Sequence, residues 1–269
     1  PSMKTASRRH HRKSDPVSKI RDAMRKAERE HRGLTPLPGL SAPESRGLSP
    51  REASRDGLPS LSPEALGHYE AIGKQIEVAL GDKSSRTLIF AAAVRGDGIS
   101  TVISQYAAML SRRGERVLLI DGNPRHPSLH RYFGIAESPG LAEFVAGQVP
   151  REAVLHATGF QRLNVVPLGR CSDRSQAERI TEMLGDFASD LVGSHEYVLV
   201  DTDFIGSPFF SQSAVQAADG VVLVVRAGKT NRAVAGRACD TVRRAGGEIL
   251  GVVLNRRRFP IPDFIYRRL

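Results

Sequence analysis

The sequence predicts an α/β protein built on a doubly wound, mostly parallel sheet, preceded by a basic N-terminal region without fixed structure. Six short, nearly continuous apolar runs recur between Leu88 and Asn255, as strands covered on both faces require. Helical patterns separate the runs, which is the order of repeated strand–helix–strand units. A glycine turn, Arg95-Gly96-Asp97-Gly98, joins the first run to a helical pattern opening with Ile99-Ser100-Thr101. Strand, glycine turn and helix in that order read as a phosphate-binding loop.

Along the chain, residues 1–14 are polar, basic and without periodicity, the composition of a disordered tail. Residues 15–32 place Ile20, Met24 and Ala27 at helical spacing, with Ser18 as N-cap, and predict a short amphipathic helix. Residues 33–61 are rich in Pro, Gly and Ser, as a flexible linker is. Ser62-Pro63-Glu64 then opens a helix carrying Leu66, Tyr69, Ile72, Ile76 and Leu80 on one face, the start of an α/β domain over 62–258. Its strands are read at LIFAA (88–92), VLLID (117–121), LNVVP (163–167), YVLVD (197–201), GVVLVV (220–225) and ILGVVLN (249–255), and its helices at 100–113, 140–147, 175–192, 210–217 and 230–245. Residues 259–269 form a C-terminal tail.

The net charge of +10 belongs to the ends of the chain. Residues 1–56 hold 14 basic and 7 acidic side chains, and residues 256–269 hold 5 and 1. Such ends suit DNA phosphates, anionic lipid or an acidic partner, or serve only as solubilising tails. No apolar run approaches the ~18 residues of a spanning helix, and the basic N-terminus lacks a signal peptide's apolar region. Membrane association is therefore expected through a partner or the basic tail. Two cysteines, Cys171 and Cys239, make no disulfide framework, which suits a reducing cytoplasm.

Chemistry is expected where such sheets bind ligands, at the carboxyl ends of the strands. Asp121 and Asp201 each end an apolar strand, where carboxylates can hold Mg²⁺; an aspartate so placed also serves as a simple turn cap. Ser100 and Thr101 begin a helix whose amides and dipole favour anions, so that one hydroxyl would ligate the metal and the other cap the helix or contact phosphate. Against the pattern G-x-x-x-x-G-K-[S/T], Ala93 stands at the first glycine and Ile99 at the lysine that would reach the β and γ oxygens. Isoleucine here is expected to set an apolar side chain beside the phosphates. Arg95 offers a partial replacement for the missing charge.

These residues, in this order, resemble the bacterial tyrosine kinases of capsular and exopolysaccharide synthesis, a branch of the MinD/ParA-like P-loop ATPases. VRGDGISTV corresponds to the Walker A loop, and VLLIDGNPRHPSLHRYFGI (117–135) is similar to the family's second Walker motif. GLAEFVAGQ, LNVVPLGR, YVLVDTDF, ADGVVLVVRAGKT and ILGVVLN follow in the family's order, and SKIRDAMRKAERE and the helix from Pro63 match its N-terminal and oligomerisation helices. The resemblance implies ATP and Mg²⁺ held by residues Arg95, Gly96, Asp97, Gly98, Ile99, Ser100, Thr101, Asp121 and Asp201, with Asn255 at the adenine. It further implies self-association with kinase-like subunits, docking on a transmembrane polysaccharide co-polymerase at the inner face of the cell membrane, and phosphorylation of C-terminal tyrosines.

Departures from the family fall at the chemistry. Ile99 replaces lysine, Asn123 stands where a second aspartate follows Asp121, and Asp203-Phe204 replaces two prolines. Gly67, Glu70 and Gly73 occupy places of Glu, Arg and Arg in the oligomerisation helix, and the tail offers one tyrosine, Tyr266, instead of a cluster. The expected function is thus a catalytically impaired, kinase-like regulator or scaffold of polysaccharide export, with ATP and Mg²⁺ bound weakly or not at all. One alternative is an active autokinase in which Arg95 or Lys229 supplies the charge. Another is a ParA-like positioning ATPase that binds DNA, disfavoured because no base-reading motif accompanies the charge.

Overall fold

The computed structural model describes residues 57–58 and 61–257. The expected tail at 1–14, helix at 15–32, most of the linker at 33–61, and the tail at 259–269 with Tyr266 lie outside the described residues. The described chain runs α1 (Pro63–Leu80), β1 (Arg86–Ala92), α2 (Ile99–Arg112), β2 (Val117–Gly122), α3 (Leu129–Phe133), α4 (Leu141–Val145), a 3₁₀ turn (Arg151–Val154), β3 (His156–Ala157) and β4 (Leu163–Val166). It continues α5 (Arg174–Ser189), β5 (Tyr197–Thr202), α6 (Gln212–Ala217), β6 (Gly220–Arg226), α7 (Arg232–Arg244) and β7 (Ile249–Asn255).

The strands form one seven-stranded sheet in the order β3-β4-β2-β5-β1-β6-β7. Every pairing is parallel except that of β3 with β4. All six expected strands are present; β3, α3 and the 3₁₀ turn, each too short to establish a period, were not foreseen. Alternation along β1 divides the core: Leu88 and Phe90 join a cluster with Ile103, Tyr106 and Leu110 of α2, whereas Ile89 and Ala91 join one with Ile180, Leu184 and Phe187 of α5. Successive strand side chains point to opposite faces, so a central strand must be apolar throughout. Burying each such large side chain stabilises the fold by about 1.5–3 kcal/mol. Among the described residues no helix is long and apolar enough to cross a membrane.

Helix α1 begins as its sequence requires: the Ser62 hydroxyl accepts from Ala65 N at 3.2 Å, Pro63 needs no partner at the first turn, and Gly81 ends the helix at φ 68°. Its expected face is the packed one. Tyr69 and Ile76 are buried against α2, with Leu66, Ile72 and Leu80 partly buried around the same cluster. The Tyr69 hydroxyl donates to Gln105 at 2.7 Å, and Arg113 pairs with Glu77 at 2.9 Å.

The two glycines of α1 differ in a testable way. A Cβ on Gly73 would lie 3.4 Å from Arg113 Nη1 and 3.7 Å from Met109 Cε, whereas one on Gly67 would meet nothing within 4 Å. Gly73→Arg is expected to destabilise the protein by about 1–3 kcal/mol through overpacking. Gly67→Glu should be neutral or stabilise by up to about 1 kcal/mol, because glycine is a poor helix former. Thermal unfolding of the two variants checks the contrast.

Candidate functional site

At the carboxyl edge of the sheet, Asp121 and Asp201 are direct register partners on β2 and β5, and Asp201 also faces Phe90 of β1, close to where the glycine turn begins. Both are fully buried. Their surroundings differ. Asp121 accepts from Asn123 N at 3.3 Å through one oxygen, and from Ser128 N at 2.9 Å and Leu129 N at 3.0 Å through the other. Burial raises its pKa to about 6, with these amides opposing the rise. Asp121 thus closes the loop that leads into α3.

Neither oxygen of Asp201 has a hydrogen-bond partner among the described residues. Burial pushes its pKa well above the usual carboxylate range, the charge of Asp121 adds to this, and the nearby Ser100 hydroxyl offsets it only in part. A buried carboxylate left without a donor is costly unless it is protonated or meets a cation. This arrangement fits Mg²⁺, which takes one or two protein oxygens and fills its remaining positions with water and phosphate oxygens. Asp201 and Ser100 are the residues that would hold it. When bound, the cation would neutralise phosphate charge.

The glycine turn is built to expose amides. Gly96 and Gly98 have φ of 87° and 92°, and Gly98 precedes the first turn of α2, a backbone that side chains disfavour and that suits phosphate. Its support comes from behind. Asp97 is buried, accepting from Thr230 Oγ1 at 2.8 Å and from Val94 N at 3.3 Å, while Asn255 Nδ2 donates to the Asp97 carbonyl at 2.8 Å. A Cβ on Gly98 would lie 2.3 Å from that Asn255 nitrogen. Asp97 and Asn255, expected at the nucleotide, therefore brace the turn against the β6–α7 connection and β7. Asp97→Ala strands two donors and is expected to lower stability by about 1–3 kcal/mol in urea unfolding, with faster amide exchange across residues 94–98.

Ile99 is 9% exposed and belongs to the apolar cluster around α2. The first helical residue after Gly98 falls on the core-facing side of α2, where isoleucine is at home and the stem of a lysine would have to leave. Ser100 is half-buried beside Asp201. The Thr101 hydroxyl is shared with the Tyr132 hydroxyl of α3 at 2.9 Å.

Arg95 is exposed at the rim. Opposite it stands His126, its pKa lowered by burial first and then by the Arg95 charge, with Asp203 opposing and Arg125 adding. Arg125 lies 6.0 Å from the Phe209 ring centre. Asn123, in place of a second aspartate, accepts from Arg125 N and His126 N at 3.2 Å each and shapes this loop. Asp203 is consumed locally, accepting from Phe204 N at 2.9 Å and from the Ser207 hydroxyl. Lys229 sits in the exposed turn after β6, its amide donating to Arg226. The basic rim of Arg125 and His126, and the Thr230 brace, were missed in the sequence. Their signal was weak: polar residues in two loops far apart in the chain, brought together only by strand order.

Comparison with known proteins finds relatives of this fold. The family profile described as Cellulose biosynthesis protein BcsQ matches residues 87–238. The tyrosine-protein kinase YwqD of Bacillus subtilis (strain 168) is 25% identical over 206 residues, 76% of this chain and 87% of its own. Among solved structures, the chimerical protein CapA2B2 superposes with a TM-score of 0.67 at 23% identity, covering 74% of this chain and 87% of the other. The septum site-determining protein MinD of Pyrococcus horikoshii OT3, solved in complex with Mg-ADP, gives a TM-score of 0.56 at 21% identity, covering 68% and 76%.

Proposed function

We propose a function for a chain that belongs to the Cellulose biosynthesis protein BcsQ family: it is a kinase-like P-loop protein of exopolysaccharide synthesis that regulates or scaffolds a membrane polysaccharide co-polymerase and has lost most of its phosphoryl-transfer capacity. It works at the cytoplasmic face of the membrane, associated with further kinase-like subunits. The observation that carries this reading is Ile99, an apolar residue turned into the core at the position of the phosphate-binding lysine.

Magnitudes separate binding from catalysis. A lysine's charge-assisted bonds contribute about 1.5–3 kcal/mol to holding a phosphate, a loss that an amide nest survives in part. One preorganised donor to developing transition-state charge is worth about 2.7–4 kcal/mol. Catalysis therefore suffers more than binding. Affinity capture of the full chain from membranes tests the role; recovery of a polysaccharide co-polymerase is expected, and failure to recover any envelope polysaccharide component contradicts it.

A second reading is favoured by the rim, where Arg95 lies close enough to His126 to lower its pKa. In that reading Arg95 returns charge to the loop, the protein remains an autokinase and Tyr266 is its acceptor. Mass spectrometry after incubation with ATP and Mg²⁺ decides it, since absence of phosphotyrosine removes the reading.

A further inference from the structure

The two edges of the sheet differ. One ends in β3, two residues long, the kind of short edge strand that discourages further pairing. The other ends in β7, seven residues without a charge or a proline, and among the described residues no strand pairs with its outer side. The Asn255 carbonyl accepts from Ala227 N at 2.9 Å, just past β6, so alternation along the strand turns the amides and carbonyls of Val252 and Leu254 outward. Both faces of β7 are apolar and packed: Leu250 and Val253 join the cluster of α1 and α2, and Val252 and Leu254 that of α7. An open apolar edge of about 23 Å invites one more strand.

The chain itself turns at this point. Arg256 has φ of 54°, the left-handed backbone that hairpin turns use, and its amide donates to the Asn255 side chain at 2.8 Å. The sequence then supplies FPIPDFIY over residues 259–266, apolar at every position but Asp263, with its two prolines two apart. In a strand, alternate amides point to opposite sides, so Pro260 and Pro262 would put both missing donors on one side. Proline is accepted at a sheet edge when that side meets solvent. The amides of Phe259, Ile261, Asp263 and Ile265 would then all face the partner. With residues 255–258 as the connection, a common hairpin length, Phe259 and Ile261 come opposite Leu254 and Val252.

We propose that the outer edge of β7 is the docking site of the chain's own residues 259–266, added as an antiparallel eighth strand. Phe259 and Ile261 extend the α7 side of the core, and Pro260, Pro262 and Phe264 extend the α1 side. The segment runs from the carboxyl edge of the sheet toward the amino edge. Tyr266 is thereby carried roughly 25 Å from Asn255, away from the glycine turn, so the docked segment withholds it from the chain's own phosphate loop. The pairing is separate from that loop and stands whether or not nucleotide binds there.

Hydrogen exchange of the full chain, resolved at single amides, tests the docking. Slow exchange is expected at Val252 and Leu254. Ile261→Pro removes a donor on the β7 side and is expected to speed exchange at both at least tenfold, whereas Phe264→Pro, on the solvent side, leaves them slow. Unchanged exchange across β1 reports that the sheet is intact in both variants. Rapid exchange at Val252 and Leu254 in the unchanged chain, or equal loss in the two proline variants, overturns the proposal. Protection that survives Ile261→Pro overturns it as well, and if that protection rises with protein concentration, a second copy is the occupant.

Discussion

Replacing Ile99 with lysine is expected to raise affinity for ATP with Mg²⁺ by roughly tenfold to a hundredfold, the equivalent of one charge-assisted phosphate contact. The remaining parts of the loop favour this gain: Gly96 and Gly98 hold the amide-exposing backbone, and Thr230 and Asn255 brace it from behind. The same change removes a side chain that is 9% exposed in the α2 cluster. Its lost burial costs about 1.5–3 kcal/mol, reduced because a lysine stem can lie along apolar surface with its ammonium outside. Ile99→Lys should therefore bind nucleotide better and melt lower in the absence of nucleotide. Calorimetry with parallel thermal unfolding checks both halves, and a lower melting temperature without gain in affinity would mean that the loop has lost more than its lysine.

Asp201→Asn is expected to make the protein more stable at pH 8 than the unchanged chain while abolishing any Mg²⁺-dependent stabilisation. The carboxyl of Asp201 is fully buried, unpartnered and beside Asp121, and its pKa lies well above the ordinary carboxylate value. A raised carboxyl pKa means that the folded state keeps its proton to higher pH than the unfolded chain does. Stability from that source is present below about pH 4 and is lost as pH rises through the folded value. Asp121, raised to about 6, adds a loss in the same direction. The amide cannot ionise, so the variant escapes the Asp201 part of the loss. The stability difference between variant and unchanged chain should be largest at pH 8 and shrink toward pH 4. Urea unfolding across this range, with and without Mg²⁺, measures it; parallel curves would show that Asp201 is not desolvated in solution.

The strand framework was legible because its signal is local. Runs such as VLLID and YVLVD are apolar on both faces, and only strands inside a covered parallel sheet need that. The glycine turn, Asp121 and Asp201 were legible for a related reason, since each ends a recognisable run. What escaped is non-local. Nothing near Asp97 in the sequence indicates that its carboxylate folds inward to Thr230, 133 residues away, or that Asn255 approaches Gly98 too closely for any side chain there. Ile99 stood out in the sequence at the place of the lysine, but its membership of the α2 cluster depends on the helical phase of α2 against β1, which a single position in the pattern does not convey. Arg125 and His126 sit in a loop without period, and strand order alone brings them opposite Arg95.

The central claim is that this P-loop keeps its backbone architecture while the chemistry that depends on its lysine is largely gone. Titration of the full chain with ATP and Mg²⁺, followed on the same sample by measurement of phosphate release, tests it most directly. Weak or undetectable binding with negligible turnover is the predicted result; micromolar affinity with rapid turnover would contradict it.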